Sequence, residues 1–268
     1  MPIRTIFAML SDRGQVRRHN EDACAASPLS SVFVVCDGMG GAAGGEIASH
    51  LAAETFVSQI SLSRAVDSLR SSNLRSVIDA AVQAANRAVY QQSRKTAHLA
   101  GMGTTLVALV HAGDQEPSTD NVGRHSAPSL WLVHVGDSRC YRWRQRTLEQ
   151  LTVDHSLVEE QVRAGQITAA QALASPMRNV ITRAVGTEPA VEPDIQGHCP
   201  QEGDLYLLAS DGLTREISEG DITKILCRMP VEITAGALQL VCRQLVEAAN
   251  ARGGNDNITV LLVGFVPA

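Results

Sequence analysis

The chain has 268 residues, of which 44% are hydrophobic, so it is long enough for one large domain or two small ones. Its formal net charge of −5 argues against a general affinity for nucleic acid, and it contains no apolar run long enough for a membrane helix. It begins with a strand-like stretch rather than a secretory leader, and its six scattered cysteines are typical of buried reduced thiols, so we expect a cytoplasmic protein.

The N-terminal part of the chain predicts two strands followed by two amphipathic helices. Apolar runs predict the strands, and apolar residues that recur at helical spacing predict the helices. Residues 16–22, between the strands, are too polar to belong to a core. The strands are predicted at residues 3–10 and 32–36, and the helices at residues 47–60 and 73–92. The two helices should cover one face of a sheet.

The middle of the chain returns to strand character. Residues 101–110 predict a strand, and residues 112–128, which contain almost nothing apolar, predict a long exposed loop. Three short strands follow at residues 130–135, 140–144 and 147–151, and they look like a meander.

We interpret residues 154–186 as a flap. The segment is helical in places, is interrupted by Gly165 and Pro176, and has few large apolar residues, which is typical of a lid rather than of a core. Beyond it, two strands, two helices and a last strand are predicted at residues 191–199, 204–209, 221–227, 233–249 and 258–266. No βαβ rhythm, repeat or linker is visible, so we expect a single α+β domain over residues 1–268, with two packed sheets and helices outside them.

Acidic residues lie at the ends of several predicted strands. Asp37 ends the apolar run 32–36 and precedes Gly38, and the same device returns at Asp211-Gly212. An Asp-Gly pair alone is equally typical of a turn. A carboxylate at the end of a buried strand is costly unless positive charge compensates it. Acids at several strand ends that converge in the fold would form a site for hard divalent cations with oxygen ligands.

The order of these motifs resembles one family. The motifs are Arg17-x-x-Asn20-Glu21-Asp22, Asp37-Gly38-Met39-Gly40-Gly41, Gly103-Thr104-Thr105, Gly136-Asp137-Ser138-Arg139, Ser210-Asp211-Gly212 and Asp256-Asn257. Together, over roughly residues 5–265, they resemble the metal-dependent protein phosphatase 2C family of serine/threonine phosphatases, in its bacterial form. Each motif is weak alone, and six in this order form a specific signal.

The resemblance implies a four-layer α-β-β-α sandwich, with two mainly antiparallel sheets flanked by helix pairs and a binuclear Mn²⁺ or Mg²⁺ centre between the sheets. It implies catalytic roles for Asp37, Asp211 and Arg17, the last as the group that binds the substrate phosphate. The implied metal ligands are Asp37 for both ions, Asp211 and Asp256 for one, Glu21 and the carbonyl of Gly38 for the other, and Asp137 with Asp211 for a third ion, while Asp22 and Asn257 lie just outside them.

The implied activity is hydrolysis of phosphoserine and phosphothreonine on proteins. Two divalent ions about 3.5–4 Å apart can activate a water and stabilise an in-line displacement at phosphorus, and a guanidinium suits a phosphate dianion. The implied partners are a phosphorylated protein and a cognate serine/threonine kinase, and we expect a monomer.

One position departs from many eukaryotic members, which have a histidine where this chain has Met39. The leaving alkoxide must then take its proton from water at the metals or from another side chain. His155 and His19 are candidates, although a lone histidine is more often structural or exposed, so we expect single His→Ala changes to leave measurable turnover.

Two alternative functions remain open. A non-catalytic relative, acting as a binding or sensing module, usually lacks one or more of the acids, whereas Glu21, Asp37, Asp211 and Asp256 are all present here. An enzyme of the same fold that acts on a small phosphorylated metabolite is the other alternative.

Overall fold

The structure is a computed structural model that describes residues 3–40, 44–66, 71–95, 97–113, 128–230 and 232–268. Most of the exposed loop predicted at residues 112–128 therefore lies outside the described residues. The strands are β1 (Ile3–Asp12), β2 (Asp22–Ser27), β3 (Val32–Met39), β4 (Gly103–Thr104), β5 (Leu106–His111), β6 (Leu130–Val135), β7 (Arg139–Arg144), β8 (Thr147–Gln150), β9 (Asp194–His198), β10 (Leu205–Ala209) and β11 (Ile258–Pro267). The helices are α1 (Gly44–Val66), α2 (Ser71–Lys95), α3 (Leu157–Arg163), α4 (Ala169–Ala174), α5 (Asp211–Thr214), α6 (Glu219–Leu226) and α7 (Ala235–Asn250).

The strands form two antiparallel sheets. One has the order β2-β3-β5-β6-β9, with β4 paired to β3, and the other has the order β1-β11-β10-β7-β8. The terminal strands β1 and β11 pair along ten residues, from Ile3 opposite Pro267 to Asp12 opposite Ile258. This pairing brings the two ends of the described chain together.

Three apolar cores separate four layers. One core lies between α1–α2 and the first sheet and includes Phe56 and Ile78. A second lies between the sheets and includes Phe33 and Tyr206. The third lies between the second sheet and the C-terminal helices and includes Leu238. The predicted α+β fold and its four-layer sandwich are confirmed. Within the described ranges, no helix combines the length and apolar character needed to cross a membrane.

The predicted meander is wrong, because β6 and β7 belong to different sheets. The chain changes sheet at Gly136, whose φ of +103° is one that other residues rarely adopt. A Cβ at Gly136 would also lie 2.6 Å from Cγ2 of Thr105. The change of sheet places Asp137 in the link between the two sheets.

Strand β2 was not predicted, because its sequence, DACAAS, consists of small residues without a β-branched side chain. It pairs with β3 along its whole length, so Asp22 lies opposite Asp37. The predicted strand at 32–36 accordingly continues past Asp37 to Met39.

The segment predicted to be a flap contains α3 and α4 and contributes no strand to either sheet. One isolated bridge, between Thr104 and Val185, ties the segment to β4, and a second, between Ser156 and Ile181, lies within the segment itself. Its apolar side chains Leu173 and Met177 are exposed. Whether the segment acts as a flap stays a prediction.

Candidate metal centre

The acidic residues converge on one cavity of about 650 Å³ at the edge where the two sheets meet. Its lining comes from separate parts of the chain: the loop before β2, the end of β3, the start of α5 and the turn before β11. The predicted site residues that line it are Arg17, Glu21, Asp37, Gly38, Asp211, Asp256 and Asn257. The structure thus brings together side chains that are up to 240 positions apart in sequence, as Arg17 and Asn257 are.

Asp37 and Asp22 form the floor of this site. Asp22 is buried, and its Oδ2 accepts a hydrogen bond of 2.7 Å from Oγ of Ser210. Burial raises the pKa of Asp22 to about 6. Burial and the neighbouring carboxylates, Asp22 and Asp211 foremost, raise the pKa of Asp37 well above its ordinary value. The floor therefore holds more negative charge than the surrounding protein compensates.

Asp211 and Asp137 extend the acidic cluster. Burial and the nearby Asp137 raise the pKa of Asp211 to about 8. Burial likewise raises the pKa of Asp137. Three buried oxygens, the Oδ1 atoms of Asp22, Asp137 and Asp211, have no hydrogen-bond partner among the described residues. Buried carboxylate oxygens without a partner are costly. Of these three residues, Asp211 is a predicted ligand of the two-ion centre, and a divalent cation there would satisfy its Oδ1.

Glu21 and Gly38 lie on the other side of the cavity. The Gly38 amide donates to the Glu21 carbonyl at 3.1 Å. A Cβ at Gly38 would lie 2.1 Å from the carbonyl oxygen of Gly45, and one at Gly45 would lie 2.3 Å from Oε2 of Glu21. Glycine at position 38 therefore lets the backbone of Gly45 pack against it, and glycine at position 45 lets the backbone approach the Glu21 carboxylate.

Asn257 fixes the loop that carries Arg17 and Glu21. Its Oδ1 accepts from the Glu21 amide at 2.8 Å, and its Nδ2 donates to the carbonyls of Arg13 and His19, each at 2.9 Å. Its own amide donates to Oδ1 of Asp256 at 2.9 Å. Asn257 thus holds together two parts of the chain that both supply candidate ligands.

Arg17 lies at the rim of the cavity, and its side chain is half exposed. Its Nη2 contacts Oδ2 of Asp256 at 2.7 Å. A guanidinium has five N–H donors, so this contact leaves others for an anion in the cavity. The position suits the predicted role of Arg17 in binding phosphate.

The spacing of the carboxylates is wider than that of a cage for one ion. In the part of the chain that the structure describes, the set of three His, Cys, Asp or Glu side chains whose ligand atoms all lie within 4.8 Å of one another is His134, His155 and Asp194, away from the cavity. Two ions about 3.5–4 Å apart distribute their ligands over a larger shell than one ion does. The donor set, all oxygen, and the buried oxygens without partners fit a pair of hard divalent cations.

A sequence profile described as "Protein phosphatase 2C" matches residues 13–236. The chain belongs to the protein phosphatase 2C family. Among curated relatives, the serine/threonine protein phosphatase PstP of Mycobacterium tuberculosis is 37% identical over 260 residues, which are 97% of this chain and 45% of that protein. The serine/threonine phosphatase stp of Listeria monocytogenes is 34% identical over 256 residues, 94% of this chain and 93% of that protein. The chain thus spans about half the length of PstP and nearly all of the Listeria protein.

Solved structures of protein phosphatase 2C members have the same fold. A crystal structure of PstP from Mycobacterium tuberculosis superimposes with a TM-score of 0.82 at 34% identity and covers 100% of both chains. A second structure, the catalytic domain of PstP in complex with two manganese ions, gives a TM-score of 0.77 at 33% identity and covers 99% of this chain and 100% of that one.

The sequence did not predict the hydroxyl groups that fix Asp37 from the side away from the cavity. The hydroxyl of Thr105 accepts from the Asp37 amide at 2.9 Å and lies 2.7 Å from the hydroxyl of Ser138, next to Asp137. Thr104 donates to the Asp37 carbonyl at 2.9 Å. Both Thr105 and Ser138 belong to motifs that resemble the family, Gly103-Thr104-Thr105 and Gly136-Asp137-Ser138, but the sequence alone does not show that their hydroxyl groups are in contact.

His155 has a structural role away from the cavity. The Gly136 amide donates to its Nδ1 at 3.1 Å, so the neutral ring carries its proton on Nε2, which faces Oδ2 of Asp194 at 3.4 Å. The ring also stacks on His134, with centroids 4.6 Å apart and planes 18° apart. A metal lies in the plane of each imidazole that binds it, so two stacked rings cannot share one ion. These histidines hold the flap segment to Gly136.

Proposed function

We propose that this chain is a metal-dependent protein serine/threonine phosphatase that hydrolyses phosphomonoesters on phosphorylated proteins. The observation that carries the proposal is the crowded set of buried carboxylates with oxygens that have no protein partner, below a rim that holds Arg17. Such a cluster is stabilised by bound divalent cations, and membership of the protein phosphatase 2C family agrees with that use.

Two Mn²⁺ or Mg²⁺ ions are the proposed cofactors, and the PstP complex with two manganese ions supports this number. We assign Asp37 to both ions, Asp211 and Asp256 to one, and Glu21 with the Gly38 carbonyl to the other. Bound there, the ions would supply the charge stabilisation for attack of water on phosphorus.

The residues of the chain contribute positioning and electrostatics. Arg17 binds the phosphate oxygens, and its ion pair with Asp256 keeps it beside the metal ligands. Asn257 fixes the approach of Glu21, and Asp22 adds negative charge behind Asp37. Met39 lines the cavity and cannot donate a proton, so the leaving group takes its proton from water or from another group.

The phosphoprotein substrate implies a serine/threonine kinase that produces it, and we propose such a kinase as the functional partner of a monomeric, cytoplasmic enzyme. Five thiols, Cys24, Cys36, Cys140, Cys227 and Cys242, form no disulfide, which supports a reducing compartment. Comparison of phosphoproteomes from cells with and without the protein would identify the substrates, and light scattering would test the monomer.

Hydrolysis of a phosphothreonine peptide with MnCl₂ tests the activity. We expect turnover that depends on Mn²⁺, that a chelator abolishes and that Asp37→Asn removes. A phosphorylated sugar run in parallel distinguishes a metabolite phosphatase. No turnover of either substrate with Mn²⁺ present would instead favour a non-catalytic binding module.

A further inference from the structure

Arg215 lies between the two carboxylates that the family resemblance assigns to a third metal ion. Its Nη2 is 2.5 Å from Oδ2 of Asp211 and 3.2 Å from Oδ2 of Asp137. One nitrogen atom therefore contacts both of the oxygens that face each other across this position.

The backbone fixes this arrangement. Asp211 begins α5 and Arg215 caps its C-terminus, where the Arg215 amide donates to the Asp211 carbonyl at 2.8 Å. This i,i+4 spacing places both side chains on one face of the helical turn. Asp137 approaches from the link between the sheets that starts at Gly136. The guanidinium thus belongs to the same rigid turn as the carboxylate that it contacts.

The charges at this position favour the guanidinium over an added ion. The carboxylates are nearly buried, with side-chain exposures of 7% for Asp137 and 12% for Asp211, and that of Arg215 is 29%. An arginine side chain keeps its charge at any physiological pH. A divalent ion bound to both Oδ2 atoms at about 2.1 Å would overlap Nη2 and would be repelled by it.

Arg215 also separates two cavities. It lines the cavity of about 650 Å³ that holds Asp37 and a second cavity of about 350 Å³ beneath the flap helices α3 and α4. The guanidinium of Arg215, at this boundary, contacts Oδ2 of Asp211. The Oδ1 atom of Asp211 has no hydrogen-bond partner among the described residues, so it is available to the two-ion centre.

We propose that Arg215 is a built-in cation that takes the place of the third ion, so that this chain binds two divalent ions in the cavity and excludes a third. The inference rests on the proposed two-ion function. Arg215 acts through Asp211 and Asp137 and is a positioning residue.

A titration with MnCl₂, in which electron paramagnetic resonance reports free Mn²⁺, tests the inference on the intact chain. We expect two bound ions on the wild type. Arg215→Ala and Arg215→Gln should each gain a third site that is at least about tenfold tighter than any third binding to the wild type. Arg215→Lys, which keeps the charge, should still bind two.

Two controls make the result specific. Arg142→Ala removes an arginine that pairs with Glu149 on β7 and β8, outside both cavities, and should leave two ions bound. Asp137→Asn added to Arg215→Ala should remove the gained site, and circular dichroism checks that each variant is folded.

A third ion bound equally well by the wild type and by Arg215→Ala would overturn the inference, and so would two ions on every variant. Either result would leave the two-ion centre standing. Fewer than two ions on the wild type would overturn the centre itself, and the inference with it.

Discussion

Asp22 and Asp37 lie directly opposite each other on the antiparallel strands β2 and β3. Like charges at directly opposite positions destabilise a sheet, and burial raises the pKa of both groups. The two carboxylates therefore repel each other at the floor of the cavity, and bound cations would offset this repulsion. We therefore expect the stability of the protein to depend on divalent ions.

Replacement of Asp37 tests separately the repulsion among the carboxylates and the stabilisation by bound ions. In the presence of a chelator, Asp37→Asn should raise the free energy of unfolding by about 1 kcal/mol, because it removes a charge from the crowded cluster. With MnCl₂ at about 100 times its dissociation constant, the wild type should gain about 2.7 kcal/mol per site, and the variant should gain much less. Thermal denaturation with a chelator and with MnCl₂ measures the two changes in unfolding free energy.

Asp79→Asn provides a matched control, because Asp79 is an exposed carboxylate on α2. It should change neither quantity. A chelated Asp37→Asn protein that is less stable than the chelated wild type would show that the carboxylates do not repel one another as described.

Arg17 should affect substrate binding more than metal binding. Arg17→Ala removes the guanidinium at the rim, so we expect kcat/KM for a phosphothreonine peptide to fall by about 10- to 100-fold, with two Mn²⁺ ions still bound. Arg18→Ala is the control, since Arg18 lines the same cavity and is exposed. Equal losses in both variants would argue for general positive charge rather than a specific phosphate contact.

Asn257 should matter for both stability and metal affinity. Asn257→Ala leaves the Glu21 amide and two carbonyls without their partner, so we expect a loss of about 2–3 kcal/mol in unfolding free energy. The looser Glu21 loop should also weaken Mn²⁺ binding. Denaturant unfolding and Mn²⁺ titration measure the two effects, and Asn255→Ala, at an exposed neighbour, is the control. Unchanged Mn²⁺ affinity in Asn257→Ala would contradict the role assigned to this residue.

His155 should contribute to the acid sensitivity of the fold. Burial, followed by the nearby His134 and Arg183, lowers its pKa from 6.5 to about 4, while Asp194 acts in the opposite direction. Between these pH values the unfolded chain binds the proton and the folded protein does not, so the free energy of unfolding falls as pH falls from about 6.5 to about 4.

His155→Gln should reduce this fall by about 2 kcal/mol, as measured by urea unfolding at several pH values. His50→Gln, at an exposed position of α1, is the control and should leave the pH profile unchanged. A wild-type profile in His155→Gln would mean that the buried ring does not govern acid stability.

Neither histidine candidate should be essential for turnover. Both ring nitrogens of His155 face Gly136 and Asp194 rather than the cavity, and His19 is exposed at the rim. We therefore expect His155→Ala and His19→Ala, each alone, to retain measurable phosphatase activity. A loss in either as large as that in Asp37→Asn would identify it as the general acid.

The sequence indicated that acids would converge, because Asp37 and Asp211 end apolar strands, Asp256 precedes one, and the order of the motifs resembles one family. Strand β2 escaped prediction, since small residues such as Ala25 carry little strand signal. The sequence did not predict the change of sheet at Gly136 either, because a single glycine in a sequence does not show which φ it adopts.

The supporting groups were harder to predict than the ligands. The contact of Arg215 with Asp211 depends on the helix α5, which has only four residues and is too short to show a helical period in the sequence. The sequence does show the i,i+4 spacing of the two residues. The stack of His134 on His155 joins residues 21 positions apart through the tertiary fold alone.

Anomalous diffraction at the manganese edge, from crystals of the protein grown with MnCl₂, tests the central claim most directly. We expect two peaks about 3.5–4 Å apart, with Asp37 bound to both and Asp211 and Asp256 bound to one of them. Absence of manganese from these carboxylates, or a manganese ion held by His134 and His155 instead, would contradict it.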